Sequence, residues 1–310
     1  MASLQAHVTT WILKRRLKPK LALTTNALEV RRLMKPEPFK VPRSVRLTPG
    51  EIGGVPGEWV EGQNSELTLL YLHGGGYVAC TVETHRPITA GFAQHGFRVF
   101  APEYRMAPEH LFPAAVDDAV AVYRGLREQG ISKIVVSGDS AGGGLALAMM
   151  LSLRDSGDHL PAAAVLFSPW TDLAATGETL RTNDDRCALF RGAKIGPGAL
   201  YYLGTADPRN PLASPLYGDL KGLPPMLIHV GENEVLLDDS RRFAERARAA
   251  GVKADIKIWP VVPHDWQLVP AMPEAKQSMR EAAEFLVRML THAGSSTSTM
   301  RGRAGGGAQA

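Results

Sequence analysis

From Glu66 to about residue 291 the chain alternates short apolar runs with longer stretches of helical periodicity, and no other feature restricts the fold as much. The runs at 67–72, 98–101, 133–137, 162–167, 225–230 and 254–259 read as strands. Helical patterns cover 114–128, the stretch after Ser140, 238–250 and 274–291. Each helical stretch is long enough to cross a sheet face and return the chain parallel to its start. The expected fold is therefore a mostly parallel, doubly wound α/β sheet flanked by helices. Residues 43–48 and 58–61 are expected to add an antiparallel edge before the parallel part. Two segments break the alternation: residues 1–40, helical before any strand, and 171–223, longer than a simple connection and rich in Pro, Gly and Asp. An insertion of that size in a compact domain is usually functional. The two are expected to pack together as a helical cap. The domain reading is an N-terminal cap part at 1–45 and a main α/β domain at 46–292 with its insertion around 175–222. A disordered tail rich in Gly, Ser, Thr and Ala follows at 293–310.

The strongest local motif is Gly138-Asp139-Ser140-Ala141-Gly142, directly after one strand and directly before a helix. A serine on so tight a strand-to-helix turn needs small residues two before and two after it. Its hydroxyl then points into the crevice above the carboxyl ends of the strands, and the Ala141 amide at the helix N-terminus stays free to donate to a developing oxyanion. The motif is weak by itself, because a glycine-rich turn also serves close packing or cradles a phosphate. A Walker loop would need Gly-Lys-Ser/Thr, which is missing.

A second turn, His73-Gly74-Gly75-Gly76-Tyr77, follows the strand ending at Leu72. Glycines there let consecutive backbone N–H groups converge on one point, as acyl transfer requires. Gly75 and Gly76 are read as oxyanion donors beside Ala141, with Gly74 shaping the turn and His73 fixing the loop.

A serine nucleophile needs a base, and the base an acid, in the chain order Ser, Asp/Glu, His. Of nine histidines, His159, His229, His264 and His292 follow Ser140. His159 closes the helix after the serine, His229 lies inside an apolar strand, and His292 abuts the tail. His264 sits in a loop after a strand and is the base. For the acid, Glu234 lies just past the strand end at Val230. Asp238 and Asp239 look like the start of the next helix, where they would act as caps and dipole partners. Glu234 is preferred, with Asp238 the alternative.

Composition removes several classes. Two cysteines, Cys80 and Cys187, make neither a disulfide framework nor a multi-cysteine metal site. No run of 18 apolar residues and no secretory signal is apparent, which points to a reducing cytoplasm. The net charge of +4 does not suggest a nucleic-acid partner, but it is uneven: residues 1–50 hold eleven Lys/Arg against Glu29 and Glu37, or +9. A basic, partly amphipathic N-terminal helix has the character of one lying on an anionic membrane surface. The plainer reading, a solvated helix face covering the main domain, is preferred.

Taken with Tyr104-Arg105-Met106-Ala107-Pro108-Glu109-His110 and Ser168-Pro169-Trp170-Thr171-Asp172-Leu173, the motifs at 73–76 and 138–143 resemble the hormone-sensitive lipase group of α/β-hydrolases, the bacterial family IV esterases. The resemblance runs from about Leu67 to the last helix. It implies a capped α/β-hydrolase without cofactor or metal, hydrolysing small carboxylic esters of short to medium acyl chain, often as a homodimer joined through the last strand. The family's acid motif usually reads Asp-Pro-Leu-x-Asp-Glu; here the matching stretch begins at Glu234, so a glutamate stands at the acid position. Other residues invite assignment. Asp139 is read as structural, Met149 and Met150 as core, and Arg105, Glu109, Asp117 and Asp118 as a buried network. Tyr77, Trp170, Leu189 and Phe190 line a substrate pocket or pack the cap.

The expectation is a serine carboxylesterase working through Ser140, His264 and Glu234 by an acyl-enzyme. Lactone opening on the same triad is the nearest alternative. A non-catalytic ligand-binding homologue is the remote one, since a receptor has no need of both Ser140 and His264.

Overall fold

The computed structural model describes residues 2–35 and 39–295, the last four of these by backbone alone. Three helices open the chain, α1 (Leu4–Arg16), α2 (Lys18–Leu23) and α3 (Ala27–Leu33). Then follow β1 (Arg46–Ile52), β2 (Val55–Glu61), β3 (Leu67–Leu72), α4 (Arg86–Gln94), β4 (Phe97–Pro102), α5 (Ala114–Glu128), β5 (Ile134–Asp139), α6 (Ser140–Asp155) and β6 (Ala164–Phe167). The insertion carries α7 (Thr179–Thr182) and α8 (Ile195–Leu203). The chain closes with β7 (Met226–Gly231), α9 (Leu237–Ala249), β8 (Ala254–Trp259) and α10 (Pro273–Ser295).

All six apolar runs are strands of one eight-stranded sheet, ordered β1-β2-β4-β3-β5-β6-β7-β8. From β4 to β8 every neighbouring pair is parallel, and β1 and β2 form the antiparallel edge. β5 is buried along its whole length, as a strand covered on both faces must be. The edge lies further along than the expected 43–48. Gly53 and Gly54, both at positive φ, make a two-residue turn that pairs Ile52 with Val55 and so draws β1 out to residue 52. Pro49 is tolerated because β1 is the outermost strand.

Helices cover both faces. α4 and α10 pack on one, joining Phe92, Phe285 and Leu286 to Val99, Val135 and Phe167 of the strands. α5, α6 and α9 pack on the other through Leu126, Met149, Met150 and Phe243. α4, between the turn at 73–77 and β4, is not among the helices expected from the sequence. The remainder of the 293–310 tail, from 296 on, lies outside the described residues, while 293–295 are the last residues of α10.

Side-chain hydrogen bonds fasten the N-terminal helices to the rest. Ser3 caps α1 and donates its N–H and hydroxyl to the Glu274 carboxylate at 2.6 and 2.8 Å. Lys18 is buried and gives its ammonium to the carbonyls of Asp184 and Cys187 in the insertion. Burial lowers its pKa from the ordinary lysine value. Arg31 donates to the carbonyls of Val78 and Ala107 and pairs with Glu109, all at 2.8 Å. This corrects the expected buried network. Glu109 belongs to an exposed pair with Arg31, Arg105 pairs separately with Asp118 at 2.7 Å, and Asp117 is exposed. The sequence motif groups these residues, but the turn leading into α5 separates them.

Candidate active site

At the end of β5 the backbone is extended at Asp139 (φ −119°, ψ 148°) and turns to φ +51° at Ser140, where α6 begins. A left-handed non-glycine residue is strained and persists only where its surroundings impose it. Here they do: a Cβ on Gly138 would lie 2.5 Å from the Gly142 carbonyl oxygen, and one on Gly142 would lie 2.0 Å from that of Leu72. Only glycine at both positions lets α6 start this close to β3 and β5. The Ser140 carbonyl accepts from Trp170 N–H at 2.9 Å, which braces the turn against the start of the insertion. Ala141, in the first turn of α6, has no intrahelical carbonyl for its N–H to reach.

Opposite lies the turn after β3. Gly75 sits at φ +115° with its carbonyl accepting from Val78 and Ala79 at 3.2 and 3.0 Å; a Cβ there would be 2.0 Å from the Ala79 oxygen. Gly74 N–H donates to Asp139 Oδ1 at 3.0 Å. His73 stacks on Tyr104 with ring centroids 4.4 Å apart, and its Nδ1 lies 2.8 Å from the Gly74 oxygen. Burial pushes the His73 pKa down to about 4, so the ring is neutral and donates that Nδ1–H. Asp139 ties the two turns together. Besides Gly74 it accepts from the Tyr71 hydroxyl, and His85 Nε2 lies 3.0 Å from its Oδ2. Burial alone would raise the Asp139 pKa, but His85 and the hydroxyl of Tyr71 outweigh it and hold the carboxyl low.

His264 lies in the loop after β8, buried, with Nδ1 2.5 Å from Glu234 Oε2. The other Glu234 oxygen accepts from Gly231 N–H at 2.6 Å and from the Ser168 hydroxyl at 2.7 Å. Ser168 and Gly231 stand at the ends of β6 and β7, so two strand ends fix the carboxylate. Asp238 faces elsewhere: its carboxylate accepts from Thr179 N–H at 3.0 Å and clamps α7. Asp239 accepts from the amides of Thr171 and Asp172, both at 2.8 Å, with burial and then Asp172 pushing it up to about 8. Asp265 is a neighbour that no sequence signal marks. Its φ of +52° turns the carboxylate back on its neighbour, leaving Oδ2 3.0 Å from His264 Nε2. Burial acts to lower the His264 pKa; Asp265 and then Glu234 outweigh it and raise it well above the imidazole range.

Gly75, Gly76, Ser140, His264 and Asp265 share the wall of one cavity of about 380 Å³. The two irregular segments add much of the rest, Leu21, Val30 and Met34 from the N-terminal part and Leu189, Phe190 and Ile195 from the insertion, beside Trp170, Val78, Leu236 and Leu268 of the main domain. The Phe190 ring meets that of His264 edge-on at 5.1 Å. Tyr77 is not in the wall. It is buried and stacked on Tyr202 at 3.9 Å, so of the four residues offered for the pocket this one packs the core. His229 is buried in β7 against the Ser278 hydroxyl at 2.8 Å, and the side chain of His292 lies outside the described residues. Among the described residues no cluster of His, Cys, Asp and Glu could hold a metal, and no helix is long and apolar enough to cross a membrane.

Residues 69–268 match a family model described as the alpha/beta hydrolase fold. An acetyl-hydrolase of Streptomyces hygroscopicus is 45% identical over 246 residues, which cover 77% of this chain and 82% of that protein. An esterase of Acinetobacter venetianus is 39% identical, covering 78% and 82%. The crystal structure of an esterase from the bacterial hormone-sensitive lipase family superposes with a TM-score of 0.86 at 40% identity, over 94% of this chain and all of that one. The chain belongs to the α/β-hydrolase fold family, in its hormone-sensitive lipase group, and is a carboxylic ester hydrolase.

Proposed function

We propose that the chain cleaves short- to medium-chain carboxylic esters through a Ser140–His264–Glu234 triad. The observation that carries this reading is the 2.5 Å contact between His264 Nδ1 and a Glu234 carboxylate already held by two strand ends, on a cavity that also exposes Ser140. Ser140 attacks the ester carbonyl while His264 Nε2 takes its proton. Gly75, Gly76 and Ala141 donate their amides to the tetrahedral oxyanion. The imidazolium, stabilised by Glu234, then protonates the leaving alcohol, and water repeats the sequence on the acyl-enzyme. The N-terminal helices and the 175–222 insertion form the cap that shields this chemistry. Phe190 against the His264 ring and the apolar wall of Leu189, Ile195 and Leu21 support uncharged substrates of modest size. The two cysteines, free and buried, fit a reducing compartment.

The test is hydrolysis of p-nitrophenyl esters from acetate to laurate. Turnover should be highest among the short acyl chains, fall at the longest, and vanish in Ser140→Ala. A chain inert on every ester, or a Ser140→Ala variant that retains wild-type turnover, overturns the proposal.

A further inference from the structure

We propose that the outer face of α1 docks on an anionic phospholipid surface. Leu4, Val8, Trp11 and Ile12 recur at helical spacing along one side of α1 and are exposed, Leu4 to 76% and Trp11 to 59%. With Leu23 and Leu28 they make six of the nine exposed large hydrophobic side chains among the described residues. The helix covers the main domain through Ala6, as the plainer reading expects, but its exposed face carries these apolar side chains beside the polar ones. It is not a frayed end: Ser3 on Glu274 holds its N-terminus, and Lys18 at the start of α2 ties the chain just past its C-terminus to the insertion carbonyls. The charge around the stripe selects its occupant. Residues 1–28 contain no Asp or Glu, and Lys14, Arg15, Arg16 and Lys20 are exposed, with Arg15 over the Trp11 ring at 5.9 Å. An apolar stripe bordered by unopposed cations fits acyl chains beneath anionic headgroups. The inner side of the same segment lines the cavity through Leu21, Thr24 and Thr25, so docking sets that wall of the cavity beside the lipid.

The test is co-sedimentation of the full chain with sucrose-loaded vesicles of phosphatidylcholine, with and without phosphatidylglycerol. Binding should be about tenfold stronger to the anionic vesicles and weaken with salt. Trp11→Ser/Ile12→Ser and Arg15→Gln/Arg16→Gln should each lower it by about tenfold with unchanged thermal unfolding. The charge pair decides the matter should the apolar pair not fold. Equal, negligible sedimentation with both vesicles overturns the proposal. So does a dimer dissolved by Trp11→Ser/Ile12→Ser in a chain that ignores vesicles, which assigns the face to a second copy.

A separate observation concerns the base. We infer that Asp265 is a positioning residue that governs when His264 Nε2 is free to accept a proton; this rests on the triad reading above. With Nδ1–H given to Glu234, a neutral imidazole presents a lone pair at Nε2. Asp265 Oδ2 lies 3.0 Å away without the alignment of a hydrogen bond, and both Nε2 and the buried Asp265 Oδ1 have no hydrogen-bond partner among the described residues. A carboxylate at that distance favours a proton on Nε2. That proton must leave to solvent through the cavity, or Asp265 must turn aside, before Nε2 can take the proton of Ser140. The charged and titratable groups around the pair are Glu234 after β7, Asp139 at the end of β5, His85 before α4, Tyr71 on β3 and Cys80 after the glycine turn. Burial pushes Asp265 up to about 7; His264 acts to lower it, and Asp139 and Glu234 add to the rise. Asp265 thereby holds back the base at acidic pH.

The test is the pH profile of kcat/KM on p-nitrophenyl acetate for wild type, Asp265→Asn and Asp265→Gly, both new residues being at ease at φ +52°. The acid limb should move down by about one pH unit or more, so that below the wild-type limb the variants are about tenfold faster. A ¹⁵N imidazole titration of His264 in a Ser140→Ala background should show the same displacement with Asp265→Asn. Unmoved limbs together with an unmoved imidazole titration overturn the inference. Should the wild type cleave no ester, the functional reading falls, and the imidazole titration alone still decides the role of Asp265.

Discussion

Replacing Glu234 by glutamine changes one atom, and its consequence follows from the hydrogen bonds already in place. Oε1 accepts from Gly231 N–H at 2.6 Å and from the Ser168 hydroxyl at 2.7 Å. The backbone N–H is an obligate donor, so the glutamine oxygen must take that place. The amide NH₂ then occupies the position of Oε2, 2.5 Å from His264 Nδ1 in the present structure, and it can only donate. Nδ1 is forced to accept, the ring proton moves to Nε2, and the imidazole can no longer take a proton from Ser140. The variant also loses the carboxylate that stabilises the imidazolium. A wrong-tautomer change of this kind costs about 10³- to 10⁴-fold in kcat, or about 4–5.5 kcal/mol of barrier. KM should hold, because Glu234 does not line the substrate cavity. Asp238→Asn keeps an acceptor for Thr179 N–H and should stay within about threefold of wild type. The assay is p-nitrophenyl acetate hydrolysis under steady state, with circular dichroism to establish folding. A folded Glu234→Gln that loses less than about tenfold, or an Asp238→Asn that loses as much, would refute the reasoning.

Three further outcomes follow from the same geometry. Ser168→Ala leaves Glu234 Oε1 with the Gly231 amide alone; kcat should fall about tenfold with KM unchanged in the same assay. Gly142→Ala sets a Cβ 2.0 Å from the Leu72 oxygen and 2.4 Å from that of His73; denaturant titration should show a loss of about 3 kcal/mol or more, or no folded protein. His229 is buried with its pKa pushed down to about 4 by burial, so the unfolded chain binds its proton first as pH falls. Its contribution to stability is complete above pH about 6.5 and is lost as pH drops toward 4, about 2 kcal/mol of it by pH 5. His229→Gln should remove about that much of the difference in unfolding free energy between pH 7.5 and 5.

Much of the architecture was legible because parallel strands covered on both faces leave unbroken apolar runs. β3, β5 and β7 declare themselves by that signature alone. The nucleophile turn was legible for a steric reason: a serine forced to positive φ where two backbones nearly touch tolerates little but glycine beside it. His264 followed from chain order and loop position. The choice between Glu234 and Asp238 could not be closed from sequence, because they stand only four positions apart and the start of α9 decides which way each points. Asp265 follows the base directly in sequence, yet nothing in the pattern gives it a role. Only its left-handed backbone brings its carboxylate to Nε2, and no periodicity announces a single left-handed residue that is not glycine. His85 and Asp139 are likewise 54 residues apart and meet only through the crossing of α4 over the sheet. The N-terminal charge was visible, but not that Lys18 points inward while Trp11 and Ile12 point out.

The account stands on Ser140 as the atom that carries the acyl group. The most direct measurement is labelling of the whole chain with a p-nitrophenyl alkylphosphonate, followed by peptide mass spectrometry. One phosphonyl group per chain, located on Ser140, absent from Ser140→Ala and formed far more slowly in Glu234→Gln, is the expected result. A label on another residue, or ester hydrolysis that persists in a folded Ser140→Ala, would contradict it.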